Sequence, residues 1–287
     1  MNLFKPLFEA RVIKKSVALF VLLIMTTISP CCSFAFDNEH CSGKGMKEFR
    51  LGELKLCINE EPDDGNYLMR FSKDNEVIFT GECAFKTQEP KSVSNAPLPN
   101  CSTLLSYCFS GGAHCCTTLF VATECGRRMS LDMVDLAHSD LKVNFIDADG
   151  TSRKVLKVYD WQFAYYAPED SQIQLSFANS PAMTRLLVFD NGHWRPDKIG
   201  EFSRFYSRLS RQTIQEAHID VQKNGSEPAA SVAIQAAYYS LMSGEPSEHA
   251  TEVLNQLLPA QWRQESEKVV NDIYRAASEF NPVEEIR

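Results

Sequence analysis

From about residue 49 to residue 190, apolar and polar positions alternate over short stretches. After Gly200 the apolar positions recur every three or four residues. Side chains on a strand point in turn to the two faces of a sheet, whereas residues three and four apart share a helix face. The first part of the chain is therefore predicted as strands and the second as helices. Residues 49–58, 67–71 and 77–79 are rich in strand formers, and 72–76 between the last two reads as a hairpin loop. Residues 87–100 hold three prolines among small polar side chains, which predicts a loop. Residues 117–123 form a strong strand pattern. Residues 142–146 and 154–159 flank Asp147-Ala148-Asp149-Gly150, read as a type I′ hairpin turn. Residues 172–177 are expected to pair with 184–189 through Asn179-Ser180-Pro181, and Asp190-Asn191-Gly192-His193 closes another turn. Roughly eight to ten short strands at this spacing make an antiparallel β assembly.

Over residues 201–222, Phe202, Phe205, Tyr206, Leu209, Ile214 and Ala217 share one helix face. Asn224-Gly225 ends that helix, and Ser226-Glu227-Pro228 caps and opens the next over 229–242. Two further helices follow, over 247–258 and 259–277. The unit 233–258 resembles one repeat of a tetratricopeptide-type array. Without stacked copies it is expected to pack as a cap on the β part or as a small bundle. The fold class is α+β with segregated parts, an antiparallel β domain over 36–200 and a small α-helical domain over 201–287.

The N-terminus is of another kind. Lys5, Arg11, Lys14 and Lys15 precede an apolar, uncharged stretch over 16–29, and Ser33-Phe34-Ala35 offers small residues for cleavage. That order is the order of a secretory signal, and the stretch is short of the roughly 20 residues that span a bilayer. Residues 1–35 are therefore expected to be removed, with contact to the membrane only through this segment beforehand. They carry four bases and one acid, so the net charge of −8 becomes −11 after cleavage. Such a surface repels phosphate backbones and argues against a nucleic-acid partner. Eight cysteines then remain: Cys41, Cys57, Cys83, Cys101, Cys108, Cys115, Cys116 and Cys125. An even number in an exported chain predicts four disulfides and a periplasmic or secreted location. Their pairing is left open among 105 possibilities. Adjacent Cys115 and Cys116 would point to opposite faces of a strand and so should take different partners.

The run Tyr107-Cys108-Phe109-Ser110-Gly111-Gly112-Ala113-His114-Cys115-Cys116-Thr117-Thr118-Leu119-Phe120 resembles a segment of uncharacterised exported bacterial proteins related to FG-GAP or VCBS-type β repeats. Asp147-Ala148-Asp149-Gly150, continuing to Tyr159-Asp160-Trp161-Gln162-Phe163-Ala164, is similar to a second such blade, and the stretch from Ser180-Pro181 to Trp194 fits its continuation. The resemblance covers about residues 100–197. It implies a sandwich or an incomplete propeller-like β domain with a binding or scaffold role. The family's calcium loops use several aspartates. Only Asp147 and Asp149 match, too few for an ion that wants six to eight oxygens.

No nucleophile elbow, zinc-protease motif, phosphate loop or dinucleotide fingerprint occurs. His114, Cys115 and Cys116, with Cys108 nearby, offer soft ligands for zinc or copper, or a histidine-activated thiol. Adjacent residues on one strand seldom converge on one ion or pair as nucleophile and base, so neither a metal nor a cofactor is predicted. Two aromatic groups are binding candidates. Tyr159, Asp160 and Trp161, with Tyr165 and Tyr166 nearby, could hold a sugar or pack on a strand edge. His193, Trp194 and Arg195 could form an exposed patch with Arg195 stacked on Trp194, or Trp194 could close the β core. The acidic run Glu60-Glu61-Pro62-Asp63-Asp64 reads as a solvated turn. These features predict a non-enzymatic binding or scaffold protein of the bacterial envelope with a protein or glycan ligand. The alternatives are an envelope-polymer hydrolase and an inhibitor or chaperone of another exported protein.

Overall fold

The computed structural model describes residues 41, 45–60, 66–84, 89–111, 117–137, 143–169, 171–224 and 230–286. The expected export signal lies outside them, as do His114, Cys115 and Cys116 and most of the acidic run after Glu60. Residues 41–287 form one compact unit.

Three antiparallel sheets follow one another along the chain, each a meander of consecutive strands. The first holds β1 (Met46–Leu51), β2 (Leu54–Glu60), β3 (Tyr67–Lys73) and β4 (Glu76–Cys83) in that order. The second holds β5 (Lys91–Ser94), β6 (Cys101–Phe109), β7 (Thr117–Cys125) and β8 (Arg128–Asp135). The third holds β9 (Asn144–Ile146), β10 (Val155–Asp160), β11 (Met183–Asp190) and β12 (His193–Pro196). Helices α1 (Ser203–Asn224), α2 (Ala230–Met242), α3 (Ser247–Leu257) and α4 (Ser266–Glu279) come next. The chain then returns as β13 (Val283–Glu285), antiparallel to β8, and adds a fifth strand to the second sheet. The segregated α+β class expected from the sequence is the one observed.

The alternation of side chains explains how the layers stack. On β2, Leu54, Leu56 and Ile58 face the second sheet, where they meet Leu104, Phe120 and Ala122. The neighbours Leu105, Leu119 and Val121 point the other way, against Leu156, Val158 and Leu187 of the third sheet. The second sheet is thus buried on both faces, which is why the centre of β7, Leu119 to Ala122, is apolar at four successive positions. The third sheet turns Val155, Leu186 and Val188 to the helices, which cover it. The change from strand to helix near residue 200 is therefore no break in the packing, because sheet and helices share one core.

The β3–β4 hairpin turns at Asp74 and Asn75, with φ of 52° and 65°, and the β11–β12 hairpin at Asn191 and Gly192, with φ of 53° and 95°. Positive φ at both central residues matches the right-handed twist of the flanking strands. Four expectations need correction. The 87–100 loop contains β5, because Lys91–Ser94 finds an edge of β6 to pair with despite the flanking prolines. The segment 147–154 is a longer loop than a type I′ turn: Gly150 N–H donates to Asp147 Oδ1 at 2.6 Å and Thr151 N–H to Asp149 Oδ1 at 3.0 Å. Residues 172–177 form no strand. Ile173 and Leu175 are buried as their alternation demands, but under the helices rather than in a ladder. The helix expected over 259–277 begins as a 3-10 turn, Ala260–Glu265, after Pro259.

Disulfides join Cys41 to Cys57, Cys83 to Cys108, and Cys101 to Cys125. The second ties β4 to β6 and hence the first sheet to the second. The third joins residues directly opposite in the β6–β7 register, with Cα atoms 4.3 Å apart, the spacing of a close antiparallel pair. All three bonds lie in or just before the first two sheets, Cys41 preceding β1. Cys115 and Cys116, expected to take different partners, lie outside the described residues.

Candidate ligand cleft

β10 ends at Asp160, where the chain leaves the sheet for the irregular segment 161–182. β8 ends beside it at Asp135, and the tail from Glu279 to Glu284 closes the third side. Between them lies a cleft of about 510 Å³, lined by residues 135–137, 159–162 and 279–284. Its walls carry the rings of Tyr159, Trp161 and Phe280, with the carboxylates of Asp135, Glu279 and Glu284 exposed at the rim.

A buried polar network stands behind this wall. Asp160 is 1% exposed. One of its oxygens accepts Gln162 N–H at 2.9 Å and the other the Tyr238 hydroxyl at 3.0 Å. Tyr238 Oη in turn accepts from Arg185 at 2.8 Å. Arg185 pairs with Asp197 at 2.9 Å, and Tyr206 donates to the same carboxylate. A further Arg185 N–H reaches the Ala277 carbonyl at 3.1 Å, and the guanidinium lies 4.4 Å from the centre of the Phe280 ring. Burial works against the Arg185 charge, but Tyr238 and Asp197 outweigh it and push its pKa up. Burial also raises Asp160 above the ordinary carboxylate range, and its hydrogen bonds do not fully offset this. Such a network contributes little net stability for its desolvation, but it fixes the elements it joins. Here these are β10, β11, α1, α2 and the end of α4, the supports of two cleft walls.

Segment 161–182 is also held in place. Tyr166 donates to Asp272 at 2.8 Å, Gln172 N–H to Glu265 at 3.1 Å, Ser171 hydrogen-bonds the same Glu265, and Lys268 reaches the Glu169 carbonyl. Burial and then Asp272 push the Tyr166 hydroxyl pKa up, so it stays a donor. Trp161 stacks on Phe177 with centroids 5.5 Å apart, and Phe177 carries Tyr165 at 5.6 Å.

The sequence candidates thus separate. Tyr159, Asp160 and Trp161 come together at the cleft, Asp160 behind its wall. His193, Trp194 and Arg195 do not form one exposed surface. Trp194 is 3% exposed, packs on Phe145 and Phe189, and donates from Nε1 to Thr123 at 2.9 Å. Arg195 is engaged by both oxygens of Glu201 and by Asp190. His193 bridges Asp132 at 3.0 Å and Glu285 at 3.3 Å, joining β8, β12 and β13. Burial raises the Asp132 pKa, against the opposing pull of His193. Sequence reasoning missed the rest of the cleft, above all Phe280 and the tail around it, whose three-residue strand is too short to show a period. Cys41, Glu48 and Cys57 come within 4.8 Å of one another, but the two sulfurs are bonded and offer no thiolate to a metal. No family model, no curated protein and no solved structure matches this chain.

Proposed function

We propose that this is an exported, non-enzymatic binding protein of the cell envelope, whose ligand seats in the cleft between the ends of β8 and β10 and the tail after α4. The observation that carries this reading is the cleft itself. It is concave, walled by aromatic rings with polar groups at the rim, and mounted on the ends of two sheets and a helix held by the Arg185 network. Binding sites are commonly concave, largely pre-formed surfaces of this composition. Both the β part, 36–200, and the helical part, 201–287, supply walls. Export is supported by the basic and apolar N-terminal order and by disulfides, which persist in oxidising compartments. Kinship with FG-GAP or VCBS-type repeats is part of the proposal, on the Ser110–Cys116 run and the succession of four-stranded meanders.

Asn281 is exposed at the cleft, so Asn281→Trp should fill it without touching the core. Retention of the exported protein on insoluble envelope polymers, and on immobilised envelope proteins, is compared for wild type and variant. Loss of retention in Asn281→Trp is expected, and equal retention removes the cleft from the account. The place of the Asp160 carboxyl in the lining of the cleft favours a second reading, hydrolysis of an envelope polymer. Release of soluble fragments by wild type but not by Asp160→Asn would support it.

A further inference from the structure

We infer that the ligand of this cleft is a glycan of gluco-configured pyranose rings, and that Trp161, Phe177 and Tyr165 extend its seat along the surface. This rests on the cleft being the ligand site. The choice is between a cation, drawn by the acidic rim, and an uncharged ligand that uses rings and acceptors together. The rings decide it. Tyr159 already carries the protein's own Lys157 ammonium 5.3 Å from its centre, and Phe280 carries the Arg185 guanidinium at 4.4 Å. A ligand cation would have to compete with both.

Trp161 belongs to a stacked pair of rings beside these two. It stacks on Phe177 with an interplanar angle of 15°, and the same Phe177 supports Tyr165. Tyr165 is 50% exposed, yet its backbone sits at φ 55°, a conformation tyrosine rarely adopts. Its N–H is fixed on Ser180 Oγ at 2.9 Å, and that hydroxyl donates to the Ser176 carbonyl. A strained, half-exposed aromatic ring contributes little to a core. Its placement makes sense if the ring is a contact surface. Segment 161–182, far longer than an ordinary connection between paired strands, is the kind of loop that carries binding residues.

Pyranoses with equatorial substituents present flat C–H faces to aromatic rings and hydroxyls around the edge. The carboxylates of Asp135, Glu279 and Glu284 and the amide of Asn281 can accept those hydroxyls. Calorimetry with chitohexaose, cellohexaose and hexalysine, on the exported protein, tests this. At least one hexasaccharide should bind, more tightly than its disaccharide and with little dependence on salt. Trp161→Ala and Tyr165→Asn should each weaken binding about tenfold, the size of one aromatic contact. Asparagine tolerates the left-handed backbone, so Tyr165→Asn tests the ring without unfolding the loop. Three outcomes overturn the inference: no hexasaccharide binding at millimolar concentration, wild-type affinity in both variants, or salt-sensitive binding of hexalysine alone. If hexalysine binding is abolished by Asn281→Trp, the cleft stands and only the glycan falls. Saccharide binding untouched by Asn281→Trp removes the cleft as well.

Discussion

Asp160 and Trp194 are neighbours of candidate chemistry in the sequence, and the structure gives them opposite duties. Asp160 is a buried carboxyl whose pKa burial has raised. A raised folded-state pKa means that its contribution to stability is complete below the unfolded value, near 3.9, and is lost as pH rises through the folded value. Asp160→Asn cannot ionise, so its stability relative to wild type should improve as pH rises across that window. Urea unfolding at a series of pH values measures this, and parallel pH profiles for the two proteins would count against it. Trp194 fills the core between the second and third sheets and donates to Thr123. Trp194→Ala should cost about 3–5 kcal/mol of stability. A variant as stable as wild type would return Trp194 to the list of surface candidates. At this scale the sequence was half legible. The group 159–161 was visible as aromatic residues around an acid, but side-chain direction at a strand end follows from partners far along the chain. Tyr238 and Arg185 decide where Asp160 faces, and nothing in the local pattern names them.

Among the elements, long runs were readable and short ones were not. The strands of 67–83, 117–123 and 184–189 and the helices after residue 200 carry enough periods to identify themselves. Residues 172–177 have the alternation of a strand, but alternation reports burial, and two buried side chains under a helix layer produce it without a ladder. β5 and β13 are short, and each exists because an edge of the second sheet is there to pair with. β13 is also the element whose loss matters most to the site, because the tail around it forms one wall of the cleft. Asp135 N–H bonds to Pro282 O at 2.9 Å, and Ile286 N–H to Leu131 O at 3.0 Å. Truncation after Phe280 removes both acceptor and strand and separates Glu285 from His193. The amide of Asp135 should then exchange many times faster with solvent, and the cleft should lose its ligand. Unchanged exchange at Asp135 would show that β13 is not docked in solution.

In the whole molecule, cross-linking and packing divide the chain differently from secondary structure. The three disulfides among the described residues lie between Cys41 and Cys125, in or just before the first two sheets, while the third sheet and the helices share a core with no cysteine in it. Each bond stabilises by about 2–4 kcal/mol. Mild reduction should therefore loosen the first two sheets ahead of the rest, with proteolysis starting before residue 125 and a fragment from about residue 143 to the C-terminus lasting longest. Early cleavage among the helices would contradict that division. The mass of the exported protein should correspond to a start at Phe36 and rise by at least about 6 Da on reduction, two hydrogens for each of three bonds.

The central claim is that ligand meets this chain at one cleft, and amide chemical shifts test it most directly. The ¹⁵N-labelled exported protein is titrated with chitohexaose, cellohexaose and hexalysine in turn. The account predicts that any probe that binds shifts the amides of residues 159–162 and 279–284 first and most. Shifts confined to the open face of the first sheet, with the cleft amides silent, or no shift with any probe, would contradict it.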